Sequence, residues 1–322
     1  RIARLQQEMQ KEGIDLYLVP TADFHQSEYV GDYFKARAWL SGFTGSAGTL
    51  IVAKEEACLW ADGRYFIQAA KQLEGTGVIL MKMGEEGVPT IEEYIEKNLP
   101  EHGCLGCDGR TIHVEEGKEF LEILKKKSGT FKCQKDLVGS IWENRPEMSK
   151  EQVYLLDTKY AGKSREEKIK EVRAAMEKAG ANVHLISSMD DIVWLLNIRG
   201  NDIVCNPVVM SYVMMDMETV KFYVQEEAVS AEVRQALEAA GVVLCPYFQV
   251  YEDVKTLKTT DKIMVEDVCT NFTIYESIPK HTEVIFEKNP AAVLKGNKNQ
   301  VEQENIRIAH VKDAKAMCRF IY

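Results

Sequence analysis

The chain repeats itself, and that repeat constrains its fold more than any other feature. Near the start the apolar positions Ile2, Leu5 and Met9 keep helical spacing up to Gly13, and a strand pattern, Ile14-Asp15-Leu16-Tyr17-Leu18-Val19, follows. Much later Lys168-Ile169, Val172 and Met176 lead to Gly180, followed by Ala181-Asn182-Val183-His184-Leu185-Ile186. Met9 and Met176, Lys11 and Lys178, and Gly13 and Gly180 fall in one register. Glycine ends a helix because it takes the left-handed cap without a Cβ clash. Downstream, Trp39-Leu40-Ser41-Gly42-Phe43-Thr44-Gly45 lines up with Trp194-Leu195-Leu196-Asn197-Ile198-Arg199-Gly200. The offset has shortened, which places an insertion around residues 23–35 of the first copy. Two strand-like runs follow each copy, 49–52 and 57–60 in the first, 208–214 and 220–224 in the second. Agreement in separated segments, in the same order, reads as a tandem duplication.

Each half then alternates strand and helix patterns. The first continues as strand 78–83, helix 90–99, strand 104–107, helix 114–127 and strand 130–133. The second continues as helix 231–240, strand 242–246, helix 250–257, strand 262–268, helix 272–277 and strand 282–286. Hairpin-like strands followed by alternating units predict an α/β fold, a mixed β-sheet flanked by α-helices in each half. The polar stretch 144–162, with Arg145-Pro146, reads as a linker. The tail 299–322 reads as one helix whose apolar face (Val301, Ile308, Val311, Phe320) has no following element to pack on; its partner is expected beyond the chain.

Composition excludes several functions. A formal charge of −10 argues against nucleic acid, because a phosphate backbone needs a basic face. No apolar run approaches a bilayer span, so no membrane partner is expected. The eight cysteines sit mostly inside apolar strand or helix patterns, the habit of reduced, buried thiols, and a cytoplasmic location follows as the expectation. No signal peptide is visible; the chain opens on Arg1 rather than Met, which implies that its true beginning has been trimmed.

Few segments suggest chemistry. Cys104-Leu105-Gly106-Cys107 has one C-x-x-C pair and no second, and strand alternation sends the two thiols to opposite faces, so buried unligated cysteines are the better reading. Gly42-Phe43-Thr44-Gly45-Ser46-Ala47-Gly48 leads into a strand rather than a helix, which removes the helix N-terminus that a phosphate cradle uses; it reads as a tight structural turn. Asp23-Phe24-His25-Gln26-Ser27-Glu28-Tyr29 gathers acid, imidazole and hydroxyl groups within the insertion. Asp62-Gly63-Arg64-Tyr65-Phe66 is placed so that Asp62 caps a helix over 65–73, with Arg64 in its first turn, where a cation opposes the macrodipole. A residue set against local preference points to another duty, and a guanidinium suits a carboxylate or a peptide carbonyl. Neither H-E-x-x-H, nor a nucleotide loop, nor a Ser-His-Asp set is present.

Those segments carry a family resemblance. His25 to Tyr29, Ser41 to Thr49, Asp62-Gly63-Arg64-Tyr65-Phe66 with Gln68-Ala69-Ala70-Lys71-Gln72, and Met81-Lys82-Met83-Gly84 resemble the first domain of the three-domain, cytosolic-type Xaa-Pro aminopeptidases (aminopeptidase P). Asp191 to Asp202 and Asn206-Pro207-Val208 resemble the second domain, and Lys298-Asn299 with Glu302, Ile306-Arg307, Ala309-His310 and Lys312-Asp313 resemble the first helix of the catalytic domain. The resemblance implies two tandem creatinase/prolidase N-terminal domains, over 1–145 and 164–290, with a linker at 146–163. Residues 291–322 would then be a second linker and the first helix of a "pita-bread" catalytic domain absent from the chain. It implies a parent hydrolase, a metallopeptidase that removes an N-terminal residue when proline is second. Two Mn(II) ions would be held in that catalytic domain by ligands that all lie beyond Tyr322, leaving this chain with no metal, no catalytic residue and no activity alone. Arg64 occupies the position of a peptide-contacting arginine, and His25, Glu28 and Tyr29 are candidates for the same substrate rim. Expected partners are a peptide with proline second and the chain's own catalytic domain. A homodimer is also admitted, its contact lying partly in that domain. Two rival readings remain open, a non-enzymatic peptide- or histone-binding module of the same fold, and creatine hydrolysis, which fits less well because that branch has one N-terminal domain.

Overall fold

The computed structural model describes residues 1–322. They form two compact units, Arg1–Ser149 with Asp267–Ile278, and Lys150–Glu266 with Pro279–Tyr322. In the first unit, strands β1 (Leu16–Pro20), β2 (Thr49–Ala53), β3 (Ala57–Ala61), β4 (Val78–Lys82), β5 (Cys104–Cys107) and β6 (Thr130–Lys132) make one sheet in the order β4-β3-β2-β1-β5-β6. Only β2 runs against its neighbours; β3–β4, β1–β5 and β5–β6 are parallel pairs. Both faces are buried. Tyr17, Val19, Leu50, Val52 and Leu59 enter one core, and Leu16, Leu18, Ile51, Cys58 and Trp60 enter the other, the two-residue alternation of a strand. Cys104 lies in the first of these cores and Cys107 in the second, so the C-x-x-C thiols do face opposite ways.

The second unit contains β7 (Tyr154–Leu155), β8 (Val183–Ile186), β9 (Ile198–Arg199), β10 (Ser211–Asp216), β11 (Val220–Val224), β12 (Val242–Pro246), β13 (Lys262–Val265) and β14 (Glu283–Phe286). Its main sheet has the order β12-β11-β10-β8-β13-β14, and β7 pairs with β9 separately. The antiparallel strand is again the second in sequence of the six, β10, with parallel pairs elsewhere. Strand for strand this is the topology of the first unit, so the sequence repeat is a repeat of structure. Backbone torsions agree as well. Gly13 and Gly180 take φ +65° and +76° after the helices Ile2–Glu12 and Arg165–Lys178. Gly42 and Asn197, in register in the two copies, take φ +79° and +49°. Asparagine tolerates that left-handed region better than other side chains with a Cβ.

Differences from the sequence reading have local causes. The strand expected over 208–214 starts only at Ser211, because the Asp202 carboxylate takes the Met210 N–H at 2.6 Å. The helix expected over 250–257 is a turn of α-helix, Val250–Asp253, continued as a 3-10 turn. The stretch read as a linker holds β7 and a short helix, Thr158–Ala161. Helix Phe272–Ser277 forms as expected but packs within the first unit, where Phe272 joins Leu105, Phe120 and Cys133. The tail is one helix, Gln300–Ile321, opened by a capping box of Asn299 and Glu302.

Candidate functional site

Strand direction gathers the segments that the sequence singled out. Because β2 is the one reversed strand, the C-terminal ends of β1, β3, β4 and β5 lie along one edge of the first sheet, beside the start of β2. The insertion follows β1, Asp62-Gly63-Arg64 follows β3, Lys82-Met83 closes β4, and the turn at 42–48 leads into β2. In sheets of this kind, ligands bind beyond the carboxyl ends of the strands.

Arg64 stands at that edge with its side chain 70% exposed. It is not in a helix. The helix runs Phe66–Leu73 with no side-chain cap, and Asp62 makes a tight turn in which its Oδ1 accepts the Arg64 N–H at 3.0 Å and its carbonyl accepts the Tyr65 N–H at 2.9 Å. Arg64 therefore does not oppose the macrodipole from a first helical turn as expected, and this turn replaces the N-cap role expected of Asp62. The guanidinium folds back on the same carboxylate, Nε to Oδ1 at 2.9 Å and Nη2 to Oδ2 at 2.8 Å. Those hydrogen bonds to Asp62, then its charge, raise the Arg64 pKa further, with Glu28 adding a smaller push from nearby. One face of the guanidinium lies 5.2 Å from the Tyr65 ring centre.

The turn at 42–48 is a structural support. Thr44 accepts from Gln68 at 3.1 Å and Gln72 at 2.9 Å through Oγ1, and its N–H donates to Gln72 Oε1 at 2.9 Å. Ser46 Oγ meets Tyr65 OH at 2.6 Å, and a Cβ on Gly45 would lie 2.2 Å from the Phe43 ring and 2.8 Å from that of Tyr65. Beneath the turn lies Arg37, buried and without an acid partner, donating to the carbonyls of Phe43 and Gly45 and to Thr21 Oγ1. Burial brings its pKa down to about 10. The sequence reading missed Arg37; nothing in its local context separates it from a surface arginine.

The rim candidates divide. Glu28 and Tyr29 are exposed, whereas His25 is 2% exposed and its backbone N–H donates to Asp23 Oδ1 at 2.8 Å. Asp23 also takes the Ser27 N–H at 3.0 Å and turns the chain so that Gln26 sits at φ +58°. Also missed was Asp108-Gly109-Arg110 after β5, although the same tripeptide as at 62–64 was there to be read. Its Arg110 lies 4.3 Å from the Phe24 ring centre, under the insertion.

No group of three or more His, Cys, Asp or Glu side chains could hold a metal ion, so the residues present do not fit a resident di-metal centre. Burial pushes the Cys107 thiol well above its usual range, against the thiolate that a metal needs. No helix is long and apolar enough to cross a membrane.

Comparison with known proteins agrees with this architecture. The sequence pattern of the creatinase/prolidase N-terminal domain matches residues 1–138, and a second pattern of the same description matches 144–302. The chain is 33% identical to Xaa-Pro aminopeptidase 1 of Dictyostelium discoideum, covering 100% of this chain and 52% of that protein. It is 33% identical to aminopeptidase P2 of Arabidopsis thaliana, covering 96% and 48%. The crystal structure of X-prolyl aminopeptidase from Caenorhabditis elegans, described as a cytosolic enzyme with a di-nuclear active site, superposes with a TM-score of 0.93 at 28% identity over 99% of this chain and 55% of that one. The chain spans about half the length of the curated relatives it matches. It therefore belongs to the creatinase/prolidase N-terminal domain family and carries two such domains in tandem.

Proposed function

We propose that this chain is the substrate-gating N-terminal region of a cytoplasmic Xaa-Pro aminopeptidase, which removes the first residue of peptides with proline second. The observation that carries the proposal is the likeness of fold and sequence to X-prolyl aminopeptidase over nearly all of this chain and little more than half of that one. In this reading hydrolysis belongs to a catalytic domain following Tyr322, where two Mn(II) ions would supply an activated water. The duties of this chain are to wall the cleft, admit short peptides and hold them, with Arg64 as a contact and Glu28 and Tyr29 on the rim. His25 would lie beneath the rim, out of reach of the peptide, its backbone N–H held by Asp23 Oδ1. The full reading frame, purified with manganese, is expected to release arginine from Arg-Pro-Pro, while the 322-residue chain alone releases none. Turnover by a clean preparation of the chain alone, or none by the full protein, defeats the proposal. The charge of −10 supports one rival, a module for basic proteins; tight histone binding by a full protein without peptidase activity would favour it.

A further inference from the structure

Two turns of the first unit share one construction. In Asp62-Gly63-Arg64 and in Asp108-Gly109-Arg110 the arginine folds back on the aspartate two residues before it. The backbone N–H donates to Oδ1 at 3.0 and 3.1 Å, Nε to the same oxygen at 2.9 Å in both, and Nη2 to Oδ2 at 2.8 Å in both. This side-on fork uses the Nε edge and leaves the outer Nη1–Nη2 edge of the guanidinium with donors to spare.

At Arg110 that outer edge faces a second acid: Nη2 lies 3.9 Å from Asp136 Oδ2, and Asp136 is also paired with Arg145. The Phe24 ring covers the guanidinium face. Two cations, Arg110 and Arg145, thus stand against two carboxylates, Asp108 and Asp136. At Arg64 a ring again covers the face, that of Tyr65, and the adjoining strand end carries a cation, Lys82, the sheet partner of Ala61. Only one carboxylate, Asp62, is paired there. Lys82 makes no ion pair, and Glu28, whose field reaches Arg64, makes none with either cation. Compared with its closed twin, the open turn lacks one carboxylate on its outer edge.

The geometry points to a peptide carboxylate as the ligand of the outer edge of Arg64, supplied by the C-terminus or by an acidic side chain of the substrate. This deepens the proposed function and rests on its reading of Arg64 as a substrate contact. Arg64 is exposed, so Arg64→Gln leaves the fold intact. The test compares kcat/KM of the full-length protein and its R64Q variant on two peptide pairs, Arg-Pro-Pro as free acid and as amide, and Arg-Pro-Glu-amide against Arg-Pro-Gln-amide. The parent protein should favour the acidic member of one pair by about three- to tenfold, the size of one well-formed, solvent-accessible charge-assisted pair, and R64Q should bring that ratio to parity. Loss in the first pair assigns the C-terminus, and loss in the second assigns a side chain. An equal drop on all four peptides overturns the carboxylate assignment while keeping Arg64 as a contact. No change on any peptide overturns both, and no cleavage by the parent overturns the aminopeptidase reading itself.

Discussion

Lys168 carries a charge into the interior of the second unit. It is 1% exposed, donates to the Trp194 carbonyl at 2.9 Å and Asn197 Oδ1 at 2.7 Å, and lies 4.2 Å from the Trp194 ring centre. Burial is the largest influence on it and pushes its pKa down to about 8. An unfolded lysine titrates near 10.4, so between these values the unfolded chain binds the extra proton and stability rises with pH. Lys168→Met removes that dependence. The stability advantage of the parent over Lys168→Met, measured by urea unfolding, should therefore grow by about 2–3 kcal/mol between pH 7.5 and pH 10. A pH-independent difference would mean that the ammonium keeps its ordinary pKa. At this scale the sequence said little, since Lys168 sits in a helix whose other lysines face solvent. Arg64 is the opposite case: its motif singled it out, yet the reason drawn from local preference, a place in the first helical turn, was wrong. The hydrogen bonds of Asp62 end the turn before the helix begins at Phe66.

Elements were more legible than residues, because periodicity and caps are local. The helix beginning after Thr90 has a capping box with Glu93, and the one beginning after Ser164 has the same device with Glu167. What periodicity could not show is which core an element joins. Helix Phe272–Ser277 stands between β13 and β14 in the sequence, yet Phe272 is 1% exposed in the first unit, where a Cβ on Gly117 would lie 2.1 Å from its ring. Glycine at 117 is thus the room that the ring occupies. Phe272→Ala should cost about 3–5 kcal/mol. Hydrogen exchange should rise in helix Val114–Lys126 and in β5 and β6 before it rises in β13 or β14. Exchange rising first in β13 and β14 would put the residue's main role in the second unit.

For the whole molecule, the tail helix presents the clearest case. Its first turns are tied to the second unit: Trp194 Nε1 donates to Glu302 Oε1 at 3.0 Å, Asn299 Nδ2 to the Ala161 carbonyl at 2.8 Å, and Asn305 Nδ2 to the Lys159 carbonyl at 3.0 Å. From Ile306 onward every residue is exposed, Phe320 by 85%. A helix so placed adds little to the fold beneath it. A chain ending at Asn305 should melt within about 2 °C of the 322-residue chain, whereas Glu302→Ala in the longer chain should lower the midpoint by more than that. A large loss on truncation would show that the exposed turns carry stability.

By itself the sequence determined the duplication, the order of strands and helices, and the absence of a metal-ligand motif, because each rests on near-neighbour patterns or on residue inventory. It also marked the segments that meet at one edge of the first sheet. Only the tertiary structure decided that they meet, which of them is buried, and which unit claims residues 267–278. Those outcomes depend on strand direction and on packing between residues far apart in the chain, and no local pattern encodes either.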